Sequence, residues 1–365
     1  MVQLFLARER RRWLAKALTV ASIALLLPPP SASAKPKHEK AVPEQWEMSL
    51  DGGRKLTFER SIRSESDVKP DRAFWTKVVD FVAGEPDSRF MVRPYSVATD
   101  SRGRIIVTDP GAAGVHIFDF AQHKYKFIQR EGKVAMLAPQ CVAVDAQDNI
   151  YVTDSDAGVI FVFEASGKFM HAIGSLKGGE GFFKRPTGIA VDSVAQRIYV
   201  TDTLRYEVFV LDMQGNVIKT IGKEGKADGE FNLPTELRLV GPNLMVVDAM
   251  NFRVQVFDRS GTFQYAVGKV GDSPGAMFRP KGFGVDSEGD LYLVDSLLGM
   301  VQVFNREGQL LYYFGSLGSH SGEFQLPTGL DINRRDQVFV VDSFNRRIQV
   351  FQYSGLHVSA ARGGQ

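Results

Sequence analysis

The stretch VVDSFNRRIQVF (residues 340–351) repeats VVDAMNFRVQVF (residues 246–257) almost letter for letter, 94 positions apart. Looser copies run along most of the chain. An aspartate closes an apolar run at RIIVTD (Asp109), NIYVTD (Asp154), RIYVTD (Asp202), NLMVVD (Asp248), DLYLVD (Asp295) and QVFVVD (Asp342). A proline precedes each run, at Pro94, Pro139, Pro186, Pro234, Pro280 and Pro327, with spacings of 45, 47, 48, 46 and 47. The two quoted stretches are therefore units four and six of a six-unit array.

Unit three shows what one unit contains. PTGIAVD (186–192), RIYVTD (197–202), EVFVLD (207–212) and NVIKTIG (216–222) are four short runs rich in Val and Ile, bounded by Gly, Asp, Asn or Pro. Such runs read as strands. Helical repeats would need longer runs of 3.6-residue period and few glycines, whereas this chain has 35 Gly. Four strands at this period make a propeller blade, and closed rings hold 4–8 blades. The expected fold is an all-β, six-bladed β-propeller of four-stranded antiparallel blades over residues 73–365, with repeats beginning near 94, 139, 186, 234, 280 and 327.

The side chains agree with that geometry. Stacked blades bury both faces of each sheet, so middle strands such as IQVF are nearly continuously apolar. First strands carry small residues (Ser96, Ala98, Gly188, Ala190, Gly282, Gly284), as expected where blades converge on an axis. Three residues before each proline stands a large apolar side chain, Met91, Met136, Phe183, Phe231, Met277 or Phe324, placed to wedge neighbouring blades apart.

The units resemble NHL repeats, whose pattern is a Gly-x-Phe-x-x-Pro-x-Gly start followed by VDS-x-N-x-R-[IV]-Q-V-F. Units four and six carry it through Asp248, Asn251 and Arg253, and through Asp342, Ser343, Asn345 and Arg347. Unit three has Glu207 where the Arg belongs, and units one, two and five lose both Asn and Arg. The resemblance covers residues 90–355 and implies a six-bladed propeller. Ring closure needs a strand from outside the repeats. WTKVVDFVAG (75–84) is the first expectation on apolar content, and LHVSAARGG (356–364) competes with it.

The ends of the chain carry other signals. Arg8, Arg10, Arg11, Arg12 and Lys16 precede an apolar run through Leu27, followed by Pro28–Pro30 and Ala32, Ser33 and Ala34. This is the layout of a cleavable export signal over residues 1–34, cut near Ala34. The run from Ala17 to Leu27 is short of the roughly 20 apolar residues a membrane span takes, so no transmembrane segment is expected in the mature chain. RRWLAK (Arg11–Lys16) resembles a twin-arginine signal with Ala15 at the usual large apolar position. The general secretory route is the first expectation, and either route places the mature protein in the periplasm or outside the cell. Residues 35–72 read as a polar tether, with a short hairpin at WEMSLDGGRKLTFERSI turning on Asp51, Gly52 and Gly53.

Composition narrows the function. Hydrophobic residues at 44% and charged residues at 24% exclude the disordered and membrane classes. Removing residues 1–34 takes Lys+Arg from 44 to 39 and Asp+Glu from 42 to 41, so the mature chain is near −2. Some intracellular relatives in the resembled family bind single-stranded RNA, but an exported chain of this charge is not expected to bind nucleic acid. Cys141, the only cysteine, forbids an internal disulfide, and in QCVAVD it reads as a buried, inert thiol.

Strand alternation puts the loops before each proline and after each repeat aspartate on one end of the ring, the proline face. The six aspartates there read as caps of backbone turns. Arg93, Arg185, Arg205, Arg253, Arg279 and Arg346 give the face a basic tint and make it the expected docking surface for an envelope protein or glycan. A second candidate lies on the first strands: Glu236 and Arg238 of unit four, read first as a self-neutralising structural pair, with Asp331 and Asn333 of unit six, near the mouth of the channel. Two resemblances bear on the alternative of a metal-assisted hydrolase or lyase with its site there. Peptide-amidating lyases of similar fold hold zinc with several histidines, but His38, His116, His123, His171, His320 and His357 all lie off the first strands. Lactonase-like propellers hold calcium with Glu, Asn and Asp on innermost strands, which would implicate Glu236, Asp331 and Asn333. No cofactor is expected, and the leading expectation is a non-catalytic scaffold.

Overall fold

The computed structural model describes residues 46–69, 89–131, 134–175 and 181–355. The expected signal peptide and both expected closing segments, 75–84 and 356–364, lie outside the described residues. Five four-stranded antiparallel sheets follow one another in sequence, spanning residues 96–128, 139–173, 186–221, 234–267 and 280–314. A sixth sheet takes three strands from residues 327–354, namely Pro327–Ile332, Gln337–Asp342 and Arg347–Ser354. The first strands touch one another around the ring, with that of blade six against both blade five and blade one. They surround the axis.

The closing strand is neither expected segment. Lys55–Ile62 pairs antiparallel with Arg347–Ser354, setting Leu56 opposite Tyr353 and Ile62 opposite Ile348. Glu47–Ser49 adds an edge strand outside it, and the connecting turn runs through Asp51–Gly53 with Gly52 and Gly53 at positive φ. Residues 46–69 are thus part of the propeller, which corrects their reading as a tether. The physical reason lies in KLTFERSI. A strand this far from the axis is only partly covered, so Leu56 and Ile62 alone are fully buried on it, while Lys55, Glu59 and Arg60 face water. Trp46 seals the join against Phe351, with ring centroids 5.3 Å apart.

The core divides into six clusters, each drawn from two neighbouring blades. Phe231 joins Tyr199, Val208 and Val210 of blade three to Leu244, Val246 and Phe257 of blade four. Phe324 stands likewise between blades five and six, and Met91 between blades six and one. All six residues at this position are buried, and each such side chain contributes roughly 1.5–3 kcal/mol by leaving water. On the first strands the blades leave no room for bulk. A Cβ on Gly188 would lie 2.6 Å from the Thr235 carbonyl oxygen of the next blade, and one on Gly282 would lie 2.6 Å from Gly329.

The residue before each repeat aspartate is threonine in one half of the ring and valine in the other. In blades one to three, Thr108, Thr153 and Thr201 donate across the blade junction to the carbonyls of Gln140, Thr187 and Thr235. Blades four to six carry Val247, Val294 and Val341 instead, all fully buried. At this position the first half of the ring is joined by hydroxyls and the second half by packing.

Candidate functional site

The repeat aspartates do structural work on the proline face. All six are buried. Asp109 accepts the amides of Val92 (2.6 Å), Arg93 (2.9 Å) and Ala112 (3.0 Å), so it caps the preceding loop as well as the following turn. Burial pushes its carboxyl up, yet hydrogen bonds from His116 and these amides hold it below the usual range. His116, seven residues on, fills the place that Gln255 and Gln349 hold beside Asp248 and Asp342. This histidine is a structural substitute for glutamine.

The basic candidates separate into two groups. Arg253 is drawn inward: its Nε donates to Asp248 at 2.9 Å and its Nη2 to the Ala227 and Glu230 carbonyls. Arg205 donates to the Phe182 carbonyl and lies over the Phe182 ring. Both hold loops in place. Arg93, Arg185, Arg279 and Arg346 are exposed, and Arg93 sits 5.6 Å from the centre of the Phe344 ring. Between these guanidiniums runs a belt that the basic pattern did not suggest. Val92, Leu137 and Phe278, two residues before their prolines, are exposed, as are Leu204, Met250, Leu297 and Phe344, two residues after their aspartates. The signal was available: these are the two loop positions flanking every cap, and their apolar content is visible once the six units are aligned.

The channel candidates are brought together, except one. Asp331 Oδ1 lies 2.8 Å from Arg238 Nη1, and Asp331 Oδ2 accepts both the amide and the hydroxyl of Thr99 at 2.9 Å. Glu236 is 3.8 Å from Arg238 and accepts a 3.1 Å hydrogen bond from the Cys141 thiol. Blades one, two, four and six are thereby tied through one polar plug. Burial raises the Glu236 carboxyl against the pull of Arg238. Burial, followed by the charge of Glu236, lifts the Cys141 thiol well up and keeps it a donor. Asn333 lies apart, capping its own turn through the amides of Arg335 and Gln337.

This set does not fit a metal ion. Both carboxylates are already engaged by Arg238 and by neighbouring donors, and the Asn333 carbonyl is held by backbone amides. Among the described residues no group of three or more His, Cys, Asp or Glu side chains is placed to hold one. Above the plug, toward the proline face, a small pit opens among Tyr95, Thr235, Lys281 and Thr328, each the residue after its proline. Sequence reading passed over these four, although aligning the units puts them on the rim of the channel.

A sequence-family profile described as a six-bladed β-propeller matches residues 232–299. No curated protein matches the chain in sequence. Solved structures share its architecture, among them the following three. A gluconolactonase from Xanthomonas campestris is 15% identical, covering 83% of this chain and 91% of its own, with a TM-score of 0.57. An auxiliary nutrient binding protein from Bacteroides thetaiotaomicron is 13% identical, covering 73% and 70%, at 0.56. Virginiamycin B lyase from Staphylococcus aureus is 13% identical, covering 71% and 94%, at 0.52. The chain is a six-bladed β-propeller of four-stranded blades. At these identities the likeness extends to the fold, which enzymes and a binding protein share.

Proposed function

We propose that the chain is an exported, NHL-type binding propeller of the cell envelope, without catalytic activity, that docks a protein partner on its proline face. The observation that carries this reading is the exposed belt of Val92, Leu137, Leu204, Met250, Phe278, Leu297 and Phe344, set among Arg93, Arg185, Arg279 and Arg346. Aromatic residues, Met and Arg are the side chains enriched where proteins meet, and a rigid ring presents them with little entropy to lose. The aliphatic share of the belt favours a protein over a glycan. Export rests on the layout of residues 1–34, and the near-neutral mature chain speaks against nucleic acid.

Site-specific photo-crosslinking in cells tests it. A photoreactive residue at Phe344 or Leu297 is expected to give a discrete protein adduct. One at Val194, exposed in the turn at the opposite end of the ring, is expected to give none. Equal labelling at both ends, or none at Phe344 and Leu297, would remove the docking face.

A further inference from the structure

The mouth of the channel carries more positive charge than the fold neutralises. Lys281 is the first residue after its proline, and Arg185 and Arg279 are the last before theirs. Among the described residues none of these three side chains has a carboxylate or carbonyl partner. The Lys281 ammonium instead stands 5.8 Å from the centre of the Tyr95 ring. Burial, then repulsion from Arg279 and Arg185, lowers Lys281 to about 8, so these charges act on one another. Cys141 and Glu236 pull the other way. In the plug beneath, Glu236 is the carboxylate that acts on Lys281, and Arg238 and Asp331 act on Glu236 in turn. Glu236 is already bound to Arg238 and Cys141.

The pit at this mouth has a volume of about 10 Å³, lined by Tyr95, Thr235, Glu236, Lys281 and Thr328. That is room for one water-sized atom. The Thr235 hydroxyl in its wall is buried without a hydrogen-bond partner among the described residues. A buried hydroxyl beside the Lys281 ammonium in one small cavity is costly unless an acceptor of opposite charge completes them.

We infer that the axial mouth is an oxyanion-binding site: one oxygen of a carboxylate or phosphate enters the pit to accept from Lys281 and Thr235, while its other oxygens face Arg185 and Arg279. The pit admits the tip of such a ligand and no more, so the rest of the molecule stays on the open proline face. Occupation by a free anion does not depend on whether a protein docks on the surrounding belt.

Isothermal titration of the purified protein with inorganic phosphate and, separately, with acetate tests this at constant ionic strength in chloride. Saturable binding near one anion per chain is expected from at least one of the two, and the pair shows which oxyanion is taken. Lys281→Met and Arg279→Met should each weaken it at least tenfold. Arg279 is exposed, so its replacement tests the site even if Lys281→Met misfolds. Lys184→Met, exposed on the same face away from the pit, should bind as the parent does. Acetate affinity should fall as pH rises through about 8, as the half-buried Lys281 loses its proton under desolvation and repulsion from Arg279 and Arg185. No saturable heat with either anion, or affinities unchanged in both methionine variants, would overturn the site.

Discussion

Arg238 of blade four reaches across to Asp331 of blade six at 2.8 Å, and the same carboxylate fixes Thr99 in blade one. Removing one partner strands the other charge in a poorly solvated place. Asp331→Ala is expected to cost about 2–4 kcal/mol, somewhat less than a fully enclosed pair because Arg238 keeps some access to water. The combination Arg238→Met with Asp331→Leu should cost less than Asp331→Ala alone. Urea unfolding of the three proteins checks the order.

The latch sets the second expectation. Leu56 is fully buried in the cluster shared by blades five and six. Leu56→Ala should cost about 2–5 kcal/mol through lost burial and a residual cavity. Glu59→Ala, on the solvent side of the same strand, should stay within about 0.5 kcal/mol. Thermal unfolding of both variants distinguishes a docked strand from a loosely held one.

Gly188 tests how tightly the first strands converge. Its added methyl would meet the Thr235 carbonyl at 2.6 Å and press on backbone, which cannot swing aside. Gly188→Ala is expected to cost about 1–3 kcal/mol by overpacking. The effect should appear in unfolding experiments with the far-ultraviolet spectrum of the folded state unchanged.

Asp286 supplies a pH dependence. Burial, with repulsion from Asp290 and Asp336, raises its carboxyl to about 6, and its Oδ2 has no partner among the described residues. A raised acid pKa means the folded state holds the proton more tightly than the unfolded one. Stability from this group therefore falls as pH climbs from about 4 to about 6 and is flat above. Asp286→Asn should raise stability by about 1–3 kcal/mol at pH 7.5, with the gain shrinking toward pH 4. Melting curves at the two pH values decide it.

Much of the fold was legible because it is written repeatedly. The six proline and aspartate registers fix blade number and strand order, since a strand alternates direction and a cap must sit at a strand end. The closing strand was hidden because Lys55–Ile62 is written once and is only partly covered, so its charges outweigh Leu56 and Ile62 in any short window. Glu236, Arg238 and Asp331 could be brought together from sequence because equivalent positions on first strands converge on the axis. Asn333 could not be separated from them, because its turn-capping role depends on where the strand ends. Lys281 escaped notice for a similar reason: its importance comes from Arg185, two blades away, and from lacking a partner, and neither is a property of local sequence.

The seam at blade six joins strands near opposite ends of the chain, Leu56 lying opposite Tyr353. A polypeptide emerging from a ribosome makes the early half of this seam long before the late half. Until residue 354 has appeared the hairpin has nothing to zip onto, and five finished wedges still leave an open arc. Completion is thus a single late event, and a chain cut short before it would display unpaired edges that quality-control proteases can grip.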